Sequence, residues 1–196
     1  YSRGIYKFKD HIIKSIKALV SFDGIYEKKR FDNNGMVIEE DSFYIGKRAK
    51  EPIIVKENNV NFAVYLNDGA MVGVFLDQKD VRKSIRDHYS KGKRVLNTFS
   101  YTGAFSMAAA KGGAITTSVD LASRSLEKTT ENFKINNIDV NNHQIIVQDV
   151  FLYFKEAKKQ NKKFDVVILD PPSFATSKEN KFSASKDYKN LVKSAI

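Results

Sequence analysis

Apolar residues recur along this chain with two different periods. In FKDHIIKSIKALVSF, residues 8–22, Ile12, Ile16, Leu19 and Val20 fall at helical spacing and predict an amphipathic helix. The period then drops to two. In VNFAVYL, Val60, Phe62, Val64 and Leu66 alternate with Asn61, Ala63 and Tyr65, the mark of a half-buried strand. EPIIVKENN before it reads as a strand and turn. Asn67-Asp68-Gly69 after it has hairpin-turn chemistry, with AMVGVF, residues 70–75, as the returning strand. A helix followed by an antiparallel meander predicts a small α+β domain over residues 1–76.

From residue 77 the pattern changes. Asp80 can cap a helix over VRKSIRDHY that Gly92 ends. Four strand-like segments follow: RVLNTF, AITTSVD, HQIIVQD and FDVVILD. The helical stretches AFSMAAAK, ASRSLEKTTENFKIN and FLYFKEAKKQ separate them. Alternation of this kind predicts βαβ units and a doubly wound, Rossmann-like α/β sheet over residues 77–196, with the first four strands present. The chain ends at Ile196 inside a segment of helical pattern and has no initiating Met, which reads as a fragment of a longer protein.

Each strand ends in a polar residue: Asn97, Asp120, Asp149 and Asp170. In an open α/β sheet the carboxyl ends of the strands lie along one edge, and ligands bind just outside it. One Asp at such a position is ordinarily a helix cap or turn former; three carboxylates and an amide in register point to a cleft. In FDVVILDPPSFA the apolar run buries a central strand, and Asp170 is the first residue to emerge. Pro171 and Pro172 lack the N–H groups to continue a ladder, so they stop the strand.

Charge and composition narrow the ligand. The first inter-strand turn, NTFSYTGAFS, holds the single glycine Gly103, with neither the G-x-G-x-x-G of a dinucleotide site nor a P-loop. Asp120 closes the second strand, where an acid commonly accepts from a ribose diol. A nucleoside without phosphates beside carboxylates suggests a cationic cofactor, and S-adenosyl-L-methionine fits. Cysteine is absent and the histidines are three and scattered, so neither a thiolate nucleophile nor a zinc centre is expected within these residues. No metal and no membrane partner are expected, and the chain reads as cytoplasmic. The net charge is +10, and residues 151–196 alone carry +5. Such a field attracts nucleic acid, or merely keeps a basic chain soluble. Lys155, Lys158, Lys159, Lys162 and Lys163 would form one stripe on a helix, to track phosphates or to face solvent.

With these motifs in view, NTFSYTGAFSMAAAKGGA, SVDLASRSLEKTTENFKINN, VQDVF and FDVVILDPPSFATSK resemble the successive cofactor motifs of class I S-adenosylmethionine-dependent methyltransferases. With VGVFLDQKDVR upstream they resemble, over about residues 50 to 196, the bacterial family that methylates large-subunit ribosomal RNA. That family includes cytosine-5 enzymes and a related guanine-N7 domain. The resemblance implies an N-terminal PUA domain and last catalytic strands beyond this chain. It implies that Phe99, Ser100, Tyr101, Thr102 and Gly103 wrap the methionine part of the cofactor, and Asn97, at the end of the preceding strand, is expected among the cofactor-binding residues. Asp120 would hold the ribose hydroxyls with Leu121 against the adenine; Asp149 would accept from the adenine amino group while Val150 and Phe151 cover the ring. Asp170 would sit nearest the methyl, with Pro171, Pro172 and Phe174 shaping the target-base pocket, and Gln78 and Arg82 closing the site.

Ribosomal RNA is therefore the expected partner. Cytosine C5 is the leading target, by way of a Cys supplied from outside these residues. Guanine N7, which needs no thiolate, stays open. Ser173 stands between the prolines and Phe174, which argues against the amino-group enzymes. A methyltransferase of a non-RNA substrate and an RNA-binding module without activity are the other readings. Oligomeric state, a homodimer included, is left open.

Overall fold

The computed structural model describes residues 3–28, 42–67, 72–176 and 181–196. The chain forms two compact units. One comprises residues 1–54 and 64–73; the other comprises residues 55–63 and 74–196, so residues 55–63 and 74–76 count with the second.

In the first unit, helices α1 (Arg3–Tyr6) and α2 (Lys9–Leu19) precede the antiparallel pair β1 (Gly24–Tyr26) and β2 (Phe43–Gly46). Lys9 Nζ lies 2.6 Å from Glu27 Oε2, and the Tyr26 and Phe43 rings meet edge-on at 5.4 Å. The helix expected over residues 8–22 is present, but its buried residue is Ile13. Leu19, 83% exposed, and Val20, where the backbone turns extended, lie outside the buried face.

Strands β3 (Ile53–Glu57) and β4 (Val60–Val64) pair through a turn in which Asn58 and Asn59 take φ of 49° and 64°. A short amide side chain tolerates this left-handed region better than a β-branched one. The further hairpin expected at Asn67-Asp68-Gly69 falls partly outside the described residues. Val72 to Phe75 form no strand, although Tyr65 N–H donates to Val72 O at 2.8 Å.

In the second unit, a 3-10 turn at Leu76–Gln78 leads into α3 (Lys79–His88), which therefore begins one residue before Asp80; its N-cap position, Gln78, makes no side-chain capping bond. Alternating elements follow: β5 (Arg94–Thr98), α4 (Ala104–Lys111), β6 (Ile115–Asp120), α5 (Arg124–Lys134), β7 (Gln144–Val147), α6 (Val150–Lys159) and β8 (Val166–Leu169). A hairpin of β9 (Phe174–Thr176) and β10 (Lys181–Ser183) and helix α7 (Ala184–Ala195) complete the chain. The four strands β5 to β8 form one parallel sheet in the order β7-β6-β5-β8. This is the expected Rossmann-like α/β architecture.

Strand side chains alternate between the sheet's faces, and the core follows that rule. Val95 packs with Ile85, Phe105, Ala109 and Ile168. Its neighbour Leu96 packs with Val119, Tyr153, Phe154 and Leu191. Helices α3 and α4 thus cover one face, and α6 and α7 the other. A full burial of this kind stabilises by roughly 2 kcal/mol per large aliphatic side chain.

Asn132 on α5 and Asn136 in the turn just after it tie β4 to this layer. Asn136 Oδ1 accepts from Asn61 N–H at 2.9 Å and its Nδ2 donates to Asn61 O at 2.7 Å, completing both backbone groups of one strand residue. One turn earlier, Asn132 Oδ1 accepts from Ala63 N–H at 2.9 Å. The i, i+4 spacing puts both amides on one face, where they act as a substitute strand edge.

Candidate active site at the carboxyl edge of the sheet

The chain moves from β5 outward through β6 to β7, then returns to place β8 on the other side of β5. The crevice of such a sheet opens where the order reverses, at the carboxyl ends of β5 and β8. Phe99 follows β5 there, and Asp170 follows β8.

The turn after β5 is tightly constrained. Phe99 and Tyr101 have φ of 52° and 51°, and Gly103 has 72°. For residues with a side chain this conformation costs roughly 1–2 kcal/mol each, so the surroundings must impose it. They do so through β6. Ser100 N–H donates to Val119 O at 3.1 Å, Gly103 N–H closes onto Ser100 O at 2.7 Å, and Tyr101 N–H donates to Asp120 Oδ2 at 2.8 Å. The other carboxylate oxygen of Asp120 accepts from Ala122 N–H at 2.9 Å. One carboxylate therefore fixes both the turn after β5 and the turn after β6. Asn132 adds a third tie, its Nδ2 donating to Thr102 O at 2.8 Å.

Asp149 stands at the N-cap of α6, where Oδ1 accepts from Phe151 N–H at 2.9 Å and Leu152 N–H at 3.2 Å. Asp170 is exposed, and its Oδ2 accepts from Gln78 Nε2 at 2.7 Å. The segment carrying Gln78 also brings the Phe75 ring to 5.8 Å from Tyr101. Gln78, Tyr101, Asp120 and Asp170 thus form one linked rim. Leu121, 52% exposed, offers an apolar surface next to Asp120, and the buried Ser100 Oγ has no hydrogen-bond partner among the described residues.

Beyond Asp170, Pro171 and Pro172 lead to Phe174, which is 77% exposed. The hairpin of β9 and β10 folds back, with Ala184 N–H on Ser173 O at 3.0 Å. It inserts Phe182 against Phe99 at 6.2 Å and against Phe151 at 5.9 Å between ring centres. Tyr188 Oη donates to Leu169 O at 3.2 Å, at the last residue of β8. Phe182, Tyr188 and Asn132 were not anticipated. Asn132 left a signal in its i, i+4 pairing with Asn136; the other two depend on a hairpin with no alternating pattern.

Several expected residues sit elsewhere than on the rim. Asn97 is 1% exposed, and its Nδ2 donates to Ser106 Oγ at 2.9 Å, which lies 2.6 Å from Ser118 Oγ. It joins β5, α4 and β6 beneath the cleft. Arg82, 2% exposed, makes a double hydrogen bond to Glu57, Nε to Oε1 at 2.8 Å and Nη2 to Oε2 at 2.6 Å, and also donates to Phe75 O. A guanidinium so engaged is an internal brace and does not close the site. Val150 is in the core with Leu96 and Val119, leaving Phe151 as the partly buried ring. The space beside Gly103 is filled by Thr129, whose Cγ2 would lie 2.5 Å from an added Cβ. That glycine serves the packing of α4 on α5, not the approach of a ligand at that point. The lysine stripe is broken because α6 ends at Lys159. Asn161 turns left-handed with φ of 50°, and Lys162 N–H folds back onto Ala157 O at 2.9 Å.

The S-adenosylmethionine-dependent methyltransferase model matches residues 40–195. The chain belongs to this family. S-adenosylmethionine is the family's cofactor, and the carboxylates of Asp120, Asp149 and Asp170 at the carboxyl ends of the strands, with the exposed Leu121 and the buried Ser100 hydroxyl, fit a cationic nucleoside without phosphate. Among relatives, the Bacillus subtilis protein YwbD, provisionally named a ribosomal RNA large subunit methyltransferase, is 58% identical over all of this chain and half of its own length. Ribosomal RNA large subunit methyltransferase I of Aeromonas salmonicida is 41% identical over 74% of this chain and 37% of its own. The crystal structure of SMU.776 complexed with SAH, titled provisionally a methyltransferase, superposes with a TM-score of 0.88. It is 44% identical over 97% of this chain and 48% of that one. The chain thus spans about half the length of the relatives it matches, or less.

Proposed function

We propose that the protein transfers the methyl group of S-adenosylmethionine to large-subunit ribosomal RNA, at cytosine C5. The observation that carries the reading is the Asp120 carboxylate, which fastens the strained turn at residues 99–103 beside the Gln78–Asp170 pair at the switch point. The names of the relatives and the net charge of +10 support RNA as substrate.

In this reading Phe99 to Gly103 present their backbone to the methionine part of the cofactor. Asp120 keeps lone pairs for the ribose hydroxyls, Leu121 lies against the adenine, and the second oxygen of Asp149 accepts from the adenine amino group beside Phe151. Asp170, with Pro171, Pro172 and the exposed Phe174, borders the target base. Displacement at a sulfonium needs alignment of donor and acceptor and exclusion of water more than proton transfer, and held geometry supplies much of the rate. Cytosine C5 further requires a thiolate to add at C6 and, after the methyl has moved to C5, a base to take the C5 proton as the C6–S bond breaks and the double bond re-forms. With no cysteine among these 196 residues, the thiolate would have to be supplied from outside them.

The test is methylation of an unmodified large-subunit ribosomal RNA transcript by the full-length protein with labelled S-adenosylmethionine, followed by nucleoside mass spectrometry. 5-Methylcytidine is the expected product. 7-Methylguanosine would move the target to guanine N7, and unlabelled RNA would overturn the RNA reading.

A further inference from the structure

The opposite edge of the same sheet carries a second pocket. Arg94, Ile115 and Gln144 are the first residues of β5, β6 and β7. With His143, Lys162 and Phe164 they line a cavity of about 180 Å³ at the amino ends of the strands, away from the rim where Asp120 and Asp170 lie. We propose that this pocket binds one phosphodiester group of the RNA strand, as an anchor separate from the methyl-transfer cleft. The proposal rests on the RNA reading above and extends it to a second contact.

The chemistry of the lining points to an anion. The Arg94 guanidinium carbon lies 5.6 Å from the centre of the Phe164 ring, and Lys162 Nζ lies 5.7 Å from that of Tyr153. Each cation is steadied on an aromatic face, and neither makes a side-chain ion pair with a carboxylate among the described residues. No carboxylate lines the cavity. The two nearby acids are already engaged. Asp165 accepts from Arg94 backbone N–H at 2.8 Å and pairs with Lys93 at 3.7 Å; Asp139 accepts from Asn141 N–H at 3.0 Å. His143 Nδ1 accepts from Thr116 N–H at 3.1 Å, which places the proton of the neutral ring on Nε2 and makes that nitrogen a donor.

Size decides the occupant. Whole small molecules fill sites of roughly 300–1,000 Å³, so a cavity of about 180 Å³ takes one group of a larger ligand. A phosphate on a polymer meets that limit. Exposed Ile115 and the Phe164 ring add an apolar border on which the adjoining sugar or base can rest.

The test is fluorescence anisotropy with a labelled single-stranded RNA oligonucleotide, comparing the unvaried protein with the double variant Arg94→Gln/Lys162→Gln. A control, Lys158→Gln/Lys159→Gln, removes the same charge from exposed positions on α6. The pocket variant is expected to bind at least fivefold more weakly at about 0.1 M salt. Its log K against log salt slope should be shallower by about 0.7, the loss of one single-strand phosphate contact. The control should change affinity by less than twofold, and S-adenosylmethionine binding should be the same in all three. An equal loss in both variants, or none in either, would overturn the pocket while leaving the function reading intact. AMP or inorganic phosphate binding tightly in the pocket, with RNA affinity unchanged by the variants, would make the occupant a free anion and overturn the RNA assignment. Failure of the unvaried protein to bind RNA would overturn both readings.

Discussion

Gln78 Nε2 donates a 2.7 Å hydrogen bond to Asp170 Oδ2 across 92 positions of sequence. It joins the segment before α3 to the end of β8. Because the pair is exposed, its worth to folding is small; its worth to a ligand held beside Asp170 is positional. Gln78→Glu sets two carboxylates against each other at that point. We expect kcat/KM for methyl transfer to fall by at least tenfold while the unfolding midpoint in urea stays within experimental error. A parallel loss of stability would show that the pair is structural.

Asn132 bridges Thr102 O and Ala63 N–H inside the protein. Asn132→Leu removes the acceptor of the buried Ala63 N–H and the donor to Thr102 O, at a cost of about 1–3 kcal/mol for each hydrogen bond lost. Urea denaturation should therefore show a loss of about 2–6 kcal/mol. Because the same residue holds the turn at residues 99–103, cofactor affinity of the folded fraction should drop as well.

The Arg82–Glu57 pair is a different case. Breaking one side of a buried ion pair costs about 3–5 kcal/mol, whereas replacing both with apolar residues is often neutral. Arg82→Leu should be strongly destabilised, and Arg82→Leu/Glu57→Leu should recover most of the loss. Calorimetry on the folded double variant should give unchanged S-adenosylmethionine affinity, as befits a brace outside the rim.

Burial holds the His143 imidazole below its ordinary pKa of 6.5, with Asp139 pulling weakly the other way. Above 6.5 the ring is neutral in both states and its contribution is fully present. As pH falls through 6.5 the unfolded chain takes up a proton that the folded state resists, so stability is lost. The difference in urea midpoint between pH 7.5 and pH 5.5 should shrink in His143→Gln.

Much of this arrangement was legible from residue pattern. The strand-helix alternation after residue 77 located β5 to β8 to within a residue or two, because a parallel sheet buried on both faces leaves dense apolar runs between turns. The acids at the strand ends were legible for the same reason, and Gln78 through its motif. What failed were inferences about direction and extent. Nothing in VRKSIRDHY shows that Arg82 turns inward, since its partner Glu57 is 25 positions away. Asn97 looked like a rim residue by position, yet strand alternation sends it under the rim to Ser106. The lysine spacing fitted a helix that ends too early to present it. Phe182 became an interior residue only through a hairpin formed after two prolines, where no periodicity signals pairing.

The most direct test of the account is calorimetric titration of S-adenosylmethionine into the protein and into Asp120→Ala. One site per chain in the first, and affinity lower by at least tenfold in the second, is the result expected if the carboxylate both fixes the turn and receives the ribose. Equal affinity in the two proteins would contradict a cofactor seated at this edge of the sheet.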